Sequence, residues 1–233
     1  MIGVIINVFT VVLGSCLGLL FRKGIPERVC NIAMIGLGAC VLYIGISGSL
    51  CGENVLIVIA SIVFGAILGT LADIDGTINK LAEKTENKFR KEGENVSIAE
   101  GIVTATLLFC VGSMTVTGSI QAGISGDNSV LITKAMLDFV SSLMLASSLG
   151  VGVLFSAVPV FVIQSGLVLM AKIIAPFLTV GAINEMTCVG SILIMMIGTN
   201  VMGITKIKVS DFLPAIVLAP IIYNIWSLIL KFI

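Results

Sequence analysis

Runs of about 20 mostly apolar residues follow one another along the whole of this 233-residue chain, and little else fits between them. About 20 such residues are what a helix needs to cross the hydrocarbon of a bilayer. Drawn out, the runs predict an all-α membrane protein with eight transmembrane helices, at 1–21, 30–50, 55–73, 101–123, 129–148, 153–174, 187–204 and 211–230. The joints between them hold the expected breakers: the stretch 22–26 with Pro26, Gly52, the charged segment that opens at Asp73, Gly126, Gly150 with Gly152, and Pro176. Composition agrees, because only 11% of residues are charged against about 25% in a soluble domain, and mean hydropathy is +1.18. The reading is a single transmembrane domain over 1–233, divided into a three-span part (1–74), a cytoplasmic amphipathic segment (75–100) and a five-span part (101–233). No room is left for a soluble catalytic domain. The apolar start, without a basic leader or a cleavage motif, reads as the first span and not as a removable signal.

Orientation follows from the short-loop Lys and Arg residues. With the N-terminus outside, inner loops hold Arg22, Lys23, Arg28, Lys80, Lys84, Lys88, Arg90, Lys91, Lys206 and Lys208, while outer positions hold only Lys172 and Lys231. Both termini are therefore expected outside. Net charge is zero and no basic run stands out, so nucleic acid is not an expected partner. Six scattered cysteines, no CxxC and no histidine leave no metal or cofactor site to expect. Two small-xxx-small patterns, Gly14 with Gly18 and Gly65 with Gly69, suit close helix approach. Packing inside the monomer and a homodimer face explain them equally well.

The stretch 111–139, VGSMTVTGSIQAGISGDNSVLITKAMLDF, lies where two spans should be and is too polar for plain lipid contact. Span four carries Ser113, Thr115, Thr117, Ser119 and Gln121 at every second position. A continuous helix would spread them around its circumference, so an unwound segment beside Gly112, Gly118 and Gly123 is expected. Such backbone is tolerated at membrane depth only where protein or a wet cavity covers it. Span five adds Lys134, Asp138, Ser141, Ser142 and Ser148 within about a third of its surface. A mid-membrane charge costs about 2.5–3.5 kcal/mol on insertion scales, so this stripe should face protein or water, and Asp138 is the candidate coupling carboxylate. Gln164 with Ser165, beyond a kink expected at Pro159, and Asn200 in the Gly198–Gly203 segment complete the candidate pathway. Asn7 is a weaker inward-facing candidate, and Asn184 with Glu185 could form an outer mouth.

A weaker echo of Val-Gly-Ser, Ile-Thr-Lys and Asp-Phe recurs at 189–191, 204–206 and 211–212. One span separates the two copies, so the second hairpin would enter from the opposite side. Inverted repeats with discontinuous helices flank the site in many secondary transporters, and an inverted repeat of spans four–five and seven–eight is expected here.

The runs VGSMTVTGSIQAGISGD, LITKAMLDF, SLGVGV and INEMTCVGSILIMMIGTNVMGI, with GSCLGLLFRKGIPERV and GAILGTLADIDG, resemble the YdfK/YqgA-like bacterial inner-membrane family. That family is a numbered domain of unknown function, described as multi-spanning with a presumed transport role. The resemblance spans nearly the whole chain. It implies a bacterial cytoplasmic membrane location and supplies neither substrate nor site residues.

From the residues, the expected function is a secondary transporter or permease for a small solute, coupled to protons or sodium. An ion channel or uniporter would use the span-four hydroxyls and carbonyls without a coupled acid. A non-transport assembly or sensory protein would act instead through segment 75–100. Enzyme activity is not expected, since the chain has no histidine to pair with a nucleophile and no ATP-binding loop.

Overall fold

A computed structural model of the chain describes residues 1–22, 27–78, 80, 98–111 and 113–232. The expected cytoplasmic helix at 75–100 falls largely outside the described residues. The helices are α1 (Ile2–Arg22), α2 (Glu27–Ser49), α3 (Val55–Leu71), α4 (Ile98–Cys110), α5 (Ser113–Ile124), α6 (Ser129–Leu149), α7 (Gly152–Phe155), α8 (Ala157–Leu169), α9 (Ala171–Ile174), α10 (Val180–Val201) and α11 (Pro214–Phe232). A 3₁₀ turn at Val209–Phe212 precedes α11. Among the described residues there is no strand.

Among the described residues, five helical stretches are long and apolar enough to cross a membrane: Ile2–Phe21, Ser129–Leu149, Gly152–Leu169, Val180–Val201 and Val209–Ile229. A sixth arises if α4 and α5, bent by 61° at their junction, count as one span. The other two expected spans are shorter apolar helices, Gly38–Ser49 within α2 and Val55–Leu71. At 1.5 Å per residue, the 17 residues of α3 rise about 25 Å, short of the ~30 Å hydrocarbon core.

The caps explain several boundaries. The Asn54 side chain accepts from the Leu56 N–H to start α3, and the Thr179 hydroxyl accepts from the Ala182 N–H to start α10. Gly126 and Gly150 adopt positive φ in the turns that flank α6, a conformation that costs glycine nothing.

Helix pairs set the architecture. α1 packs along α6, α2 along α10, and α3 along α11. In the first pair residue numbers rise together: Gly3 meets Asn128 and Leu131, Gly14 meets Phe139 and Ser142, and Gly18 meets Leu143 and Ala146. α1 and α6 are therefore parallel. The α2–α10 pair is antiparallel, with Gly38 on Met202 and Gly48 on Ser191, and so is the α3–α11 side, with Gly65 on Ala215 and Gly69 on Asp211. Both small-xxx-small patterns are thus spent on contacts within the chain. Gly101 against Gly152, and Gly123 against Val168 and Ala171, set the α4–α5 unit parallel to α7–α9.

The main apolar cluster runs from Val11, Phe109 and Val160 through Leu145 and Val189 to Ala219. A separate small cluster consists of Val4, Ala122, Leu131 and Val168. Large apolar side chains on the outer helix faces, among them Ile5, Phe9, Met136, Val140, Val158 and Val162, are exposed and suit lipid.

Candidate functional site

The small apolar cluster shows that α1, α5, α6 and α8 converge at one level. From there α1 and α6 go deeper with rising residue number, whereas α5 and α8 go deeper with falling number. One helical turn below, about 5.4 Å along each axis, the same faces carry Asn7, Ser119, Lys134, and Gln164 with Ser165. All five are buried. A further turn brings Val11, Thr115, Asp138 and Val160, and here the main apolar cluster begins. A polar layer is thus held between two apolar ones.

Lys134 and Asp138 are 5% and 6% exposed and pair one turn apart on α6, ammonium on carboxylate Oδ2. Asp138 is the tenth residue of a 21-residue helix, well away from either end. The ammonium also stands 5.9 Å from the centre of the Phe109 ring, within the range of a cation–π attraction. Asn7 lies beside the Asp138 carboxylate. Thr115 donates its hydroxyl proton to the Phe109 carbonyl over 2.8 Å, bridging the break between α4 and α5.

The rest of the layer is poorly partnered. Both amide atoms of Gln164 and the hydroxyls of Ser119 and Ser165 make no hydrogen bond, and the Asn7 amide has only the Asp138 carboxylate beside it. Each such group costs about 1–3 kcal/mol when buried unpaired, and native interiors leave few of them. These unpartnered groups are concentrated on facing helices.

The sequence-derived candidates divide clearly. Thr115, Ser119, Lys134, Asp138 and Gln164 meet in or beside this layer. Thr117, Gln121 and Ser141 do not, because each is exposed on the outer side of its helix. Gln121 instead donates to Asp127 Oδ2 over 2.8 Å at the α5–α6 turn. There the Ser129 backbone N–H, then its hydroxyl, then Gln121 hold the Asp127 carboxyl below its ordinary range. The Ser113 side chain lies outside the described residues. The expected unwinding is found only at its first glycine: the break lies between Cys110 and Ser113, where Gly112 stands in the sequence, whereas Gly118 and Gly123 lie inside α5, a continuous helix. α5 stays helical because its small residues pack directly, Gly118 on Val130 and Gly123 on Val168. Pro159 sits three residues into α8, and the interruption falls at Ser156, before it.

Asn200 belongs to a different feature. Its side-chain oxygen accepts from the Ile207 N–H (2.9 Å) and the Thr205 hydroxyl (2.7 Å), and its amide donates to the Ile207 carbonyl (2.7 Å). These bonds fix the turn that ends α10, where Gly203 has positive φ. The turn walls a cavity of about 400 Å³ lined by Glu100, Thr104, Asn200, Lys206, Lys208 and Ser210, among others.

The two echoed motifs take different local structures. Lys134 and Asp138 are mid-helix, whereas Lys206 lies in a loop and Asp211 in the 3₁₀ turn, where its Oδ1 accepts from the Asp75 N–H at 3.0 Å. The Val-Gly-Ser segments do meet, with Val111 packed on Gly190. Asn184 and Glu185 lie within α10 and not ahead of it, and the Asn184 amide donates to Glu53 Oε1 over 3.2 Å. Glu185 is fully buried, and its Oε1 accepts from the Glu53 (2.8 Å) and Asn54 (2.7 Å) N–H groups, tying α10 to the start of α3. Its other oxygen has no partner. Sequence reading underrated Asn7 and missed Phe109 and Ser15; the i to i+8 spacing of Asn7 and Ser15 on one apolar helix was the available signal.

Comparison with known proteins places this geometry in a family. Residues 2–224 match the family described as "Protein of unknown function (DUF554)". The chain is 34% identical over 226 residues, 95% of both chains, to the uncharacterized membrane protein YdfK of Bacillus subtilis (strain 168). It is 31% identical over 230 residues, 97% of both chains, to the uncharacterized protein YqgA of Escherichia coli (strain K12). No solved structure matches.

Proposed function

The chain belongs to the DUF554 family of proteins of unknown function, and from that premise and the geometry above we propose that it is a secondary transporter for a small solute. It works as a multi-pass protein of the bacterial inner membrane, without enzymatic chemistry. The solute binds in the layer of Asn7, Ser119, Lys134, Asp138 and Gln164, and Asp138 links its passage to a proton or sodium gradient. The single observation that carries this reading is the set of unpartnered buried polar atoms on α1, α5 and α8, facing an ion pair on α6. A static core gains nothing from such groups, since apolar residues of similar shape would avoid their desolvation cost.

The arrangement also supports a route. On one side the layer is closed only by Val4, Ala122, Leu131 and Val168, a plug of four side chains. On the other side lies the much larger cluster, beyond which the Lys206 and Lys208 cavity opens. In the proposed topology the termini face outward, so the thin plug is the outer gate and the cavity the inner vestibule. The parallel run of α1 and α6 fits four crossings from the start of one to the start of the other, and the outward termini rest on the loop Lys and Arg residues. A homodimer, if formed, uses other faces than Gly14, Gly18, Gly65 and Gly69.

The test is solute flux into proteoliposomes, followed by light scattering on osmotic challenge with a panel of small polar solutes. At least one solute should enter faster than into empty liposomes. Gln164→Leu should abolish that gain, and Asp138→Asn should remove its response to an imposed pH or sodium gradient. If nothing enters faster than the empty-liposome rate, the transport reading fails. If the gradient response survives Asp138→Asn, the acid is structural.

A further inference from the structure

We infer that the solute held by this layer is uncharged and carries both hydrogen-bond donors and acceptors, as small amides and polyols do. The inference rests on the transport reading and narrows its substrate class. It follows from what the layer offers and from what it already satisfies.

Lys134 and Asp138 neutralise each other at contact distance, with Phe109 against the ammonium. The ion pair is therefore not waiting for a counter-ion. Among the described residues no other charged side chain lies in the layer, which otherwise holds Asn7, Ser119, Gln164 and Ser165. An incoming anion or cation would add a net charge to a space walled by apolar clusters. Uncompensated charge is disfavoured there far more strongly than a neutral polar group. The carboxamides of Asn7 and Gln164 each present two N–H donors and a carbonyl acceptor, and the serine hydroxyls act as both. The Gln164 carboxamide and the Ser119 and Ser165 hydroxyls have no partner, and the Asn7 amide has only the Asp138 carboxylate beside it. A ligand with donors alone or acceptors alone would leave half of them unpaired.

Size is bounded as well. The polar residues occupy about one helical turn, roughly 5.4 Å of axial depth, between Val4 with Leu131 on one side and Val11 with Val160 on the other. A solute that fits that depth without displacing either apolar cluster is small.

The experiment is ligand-induced thermal stabilisation of the purified full chain in detergent, with four groups of probes at matched millimolar concentration. These are uncharged solutes (urea, acetamide, glycerol, erythritol), anions (acetate, lactate), organic cations (methylammonium, guanidinium at low millimolar) and zwitterions (glycine, alanine), all at one fixed sodium concentration because sodium is a candidate coupling ion. A ligand that binds only the folded protein raises its midpoint. We expect a saturable rise with an uncharged probe, and at least a tenfold loss of apparent affinity in both Asn7→Leu and Gln164→Leu. The Leu variants should fold, because each replaces a poorly partnered amide with an apolar side chain of similar volume. Stabilisation by an ion or a zwitterion that is lost in the same variants would overturn the uncharged class while leaving the transport reading standing. No stabilisation by any probe would also overturn the inference, the layer then holding water alone. Failure of all solutes in the flux assay is a separate result and removes the transport reading itself.

Discussion

Replacing Lys134 with Met removes the cation from a pair whose two side chains are 6% and 8% exposed. The Asp138 carboxylate is then left in the membrane interior, with the Asn7 amide as its polar neighbour. Breaking one partner of a buried pair costs about 3–5 kcal/mol, because the survivor keeps its desolvation penalty and loses its compensation. Chains of about 150–250 residues shift by roughly 2–4 °C per kcal/mol. The unfolding midpoint of Lys134→Met should therefore fall by about 6–20 °C. Asp138→Asn should cost less, since the ammonium keeps the Phe109 ring face. The combined variant Lys134→Met with Asp138→Leu should return to within about 1 kcal/mol of the parent, as apolar replacement of a buried pair is commonly neutral or stabilising. The four proteins form a double-mutant cycle, read by thermal unfolding in one detergent. If both single variants unfold within about 1 kcal/mol of the parent, the pair is hydrated and the dry polar layer does not exist.

Other outcomes follow from the same geometry. Gly18→Ala should destabilise the chain by about 1–3 kcal/mol, the usual cost of overpacking, because its new methyl would overlap the Leu143 carbonyl and stand 3.0 Å from Ala146 Cβ; thermal unfolding checks this, with Gly166→Ala, which meets nothing within 4 Å, as the mild control. Thr117→Ala, Gln121→Ala and Ser141→Ala should leave flux within about twofold of wild type, since these side chains lie outside the layer, whereas Ser119→Val should lower it severalfold. Glu185→Ala should cost about 1.5–3 kcal/mol, the range for hydrogen bonds to a charged group, by freeing the Glu53 and Asn54 N–H groups; faster amide exchange at the start of α3 is the specific readout. Burial, with a smaller push from the Glu185 charge, raises the Cys51 thiol above its ordinary range against a backbone hydrogen bond that lowers it. In a protein whose other cysteines are replaced, maleimide labelling of Cys51 should therefore stay slow at neutral pH and accelerate only above pH 9, the ordinary thiol value.

Much of the architecture was legible from apolar run length alone. The helix boundaries at Gly126 and Gly150 were readable because glycine there meets a conformational demand that other residues resist, whereas Gly203, placed inside the seventh expected span, proved to lie in the turn after α10. Lys134, Asp138 and Gln164 were readable as inward-facing, because lipid penalises them whatever the fold. The alternating hydroxyls of span four were not. Alternation along a helix puts neighbours on opposite faces, so Thr115 and Ser119 point in while Thr117 and Gln121 point out. The echoed motifs show the same limit: identical short words at 132–134 and 204–206 fold within a helix and as loop, since the surrounding packing decides.

By itself, then, the sequence determined that the chain is helical and apolar enough for a membrane, and which costly side chains must be sheltered. Those are properties of single residues and of their local spacing against a fixed solvent thickness. Only the tertiary structure decided that Asn7, Ser119, the Lys134–Asp138 pair and Gln164 share one level, because that depends on α1 and α6 running parallel across 128 residues of chain. It also decided that the glycine patterns serve packing within the chain, since close approach needs a specific partner surface and no local rule names it.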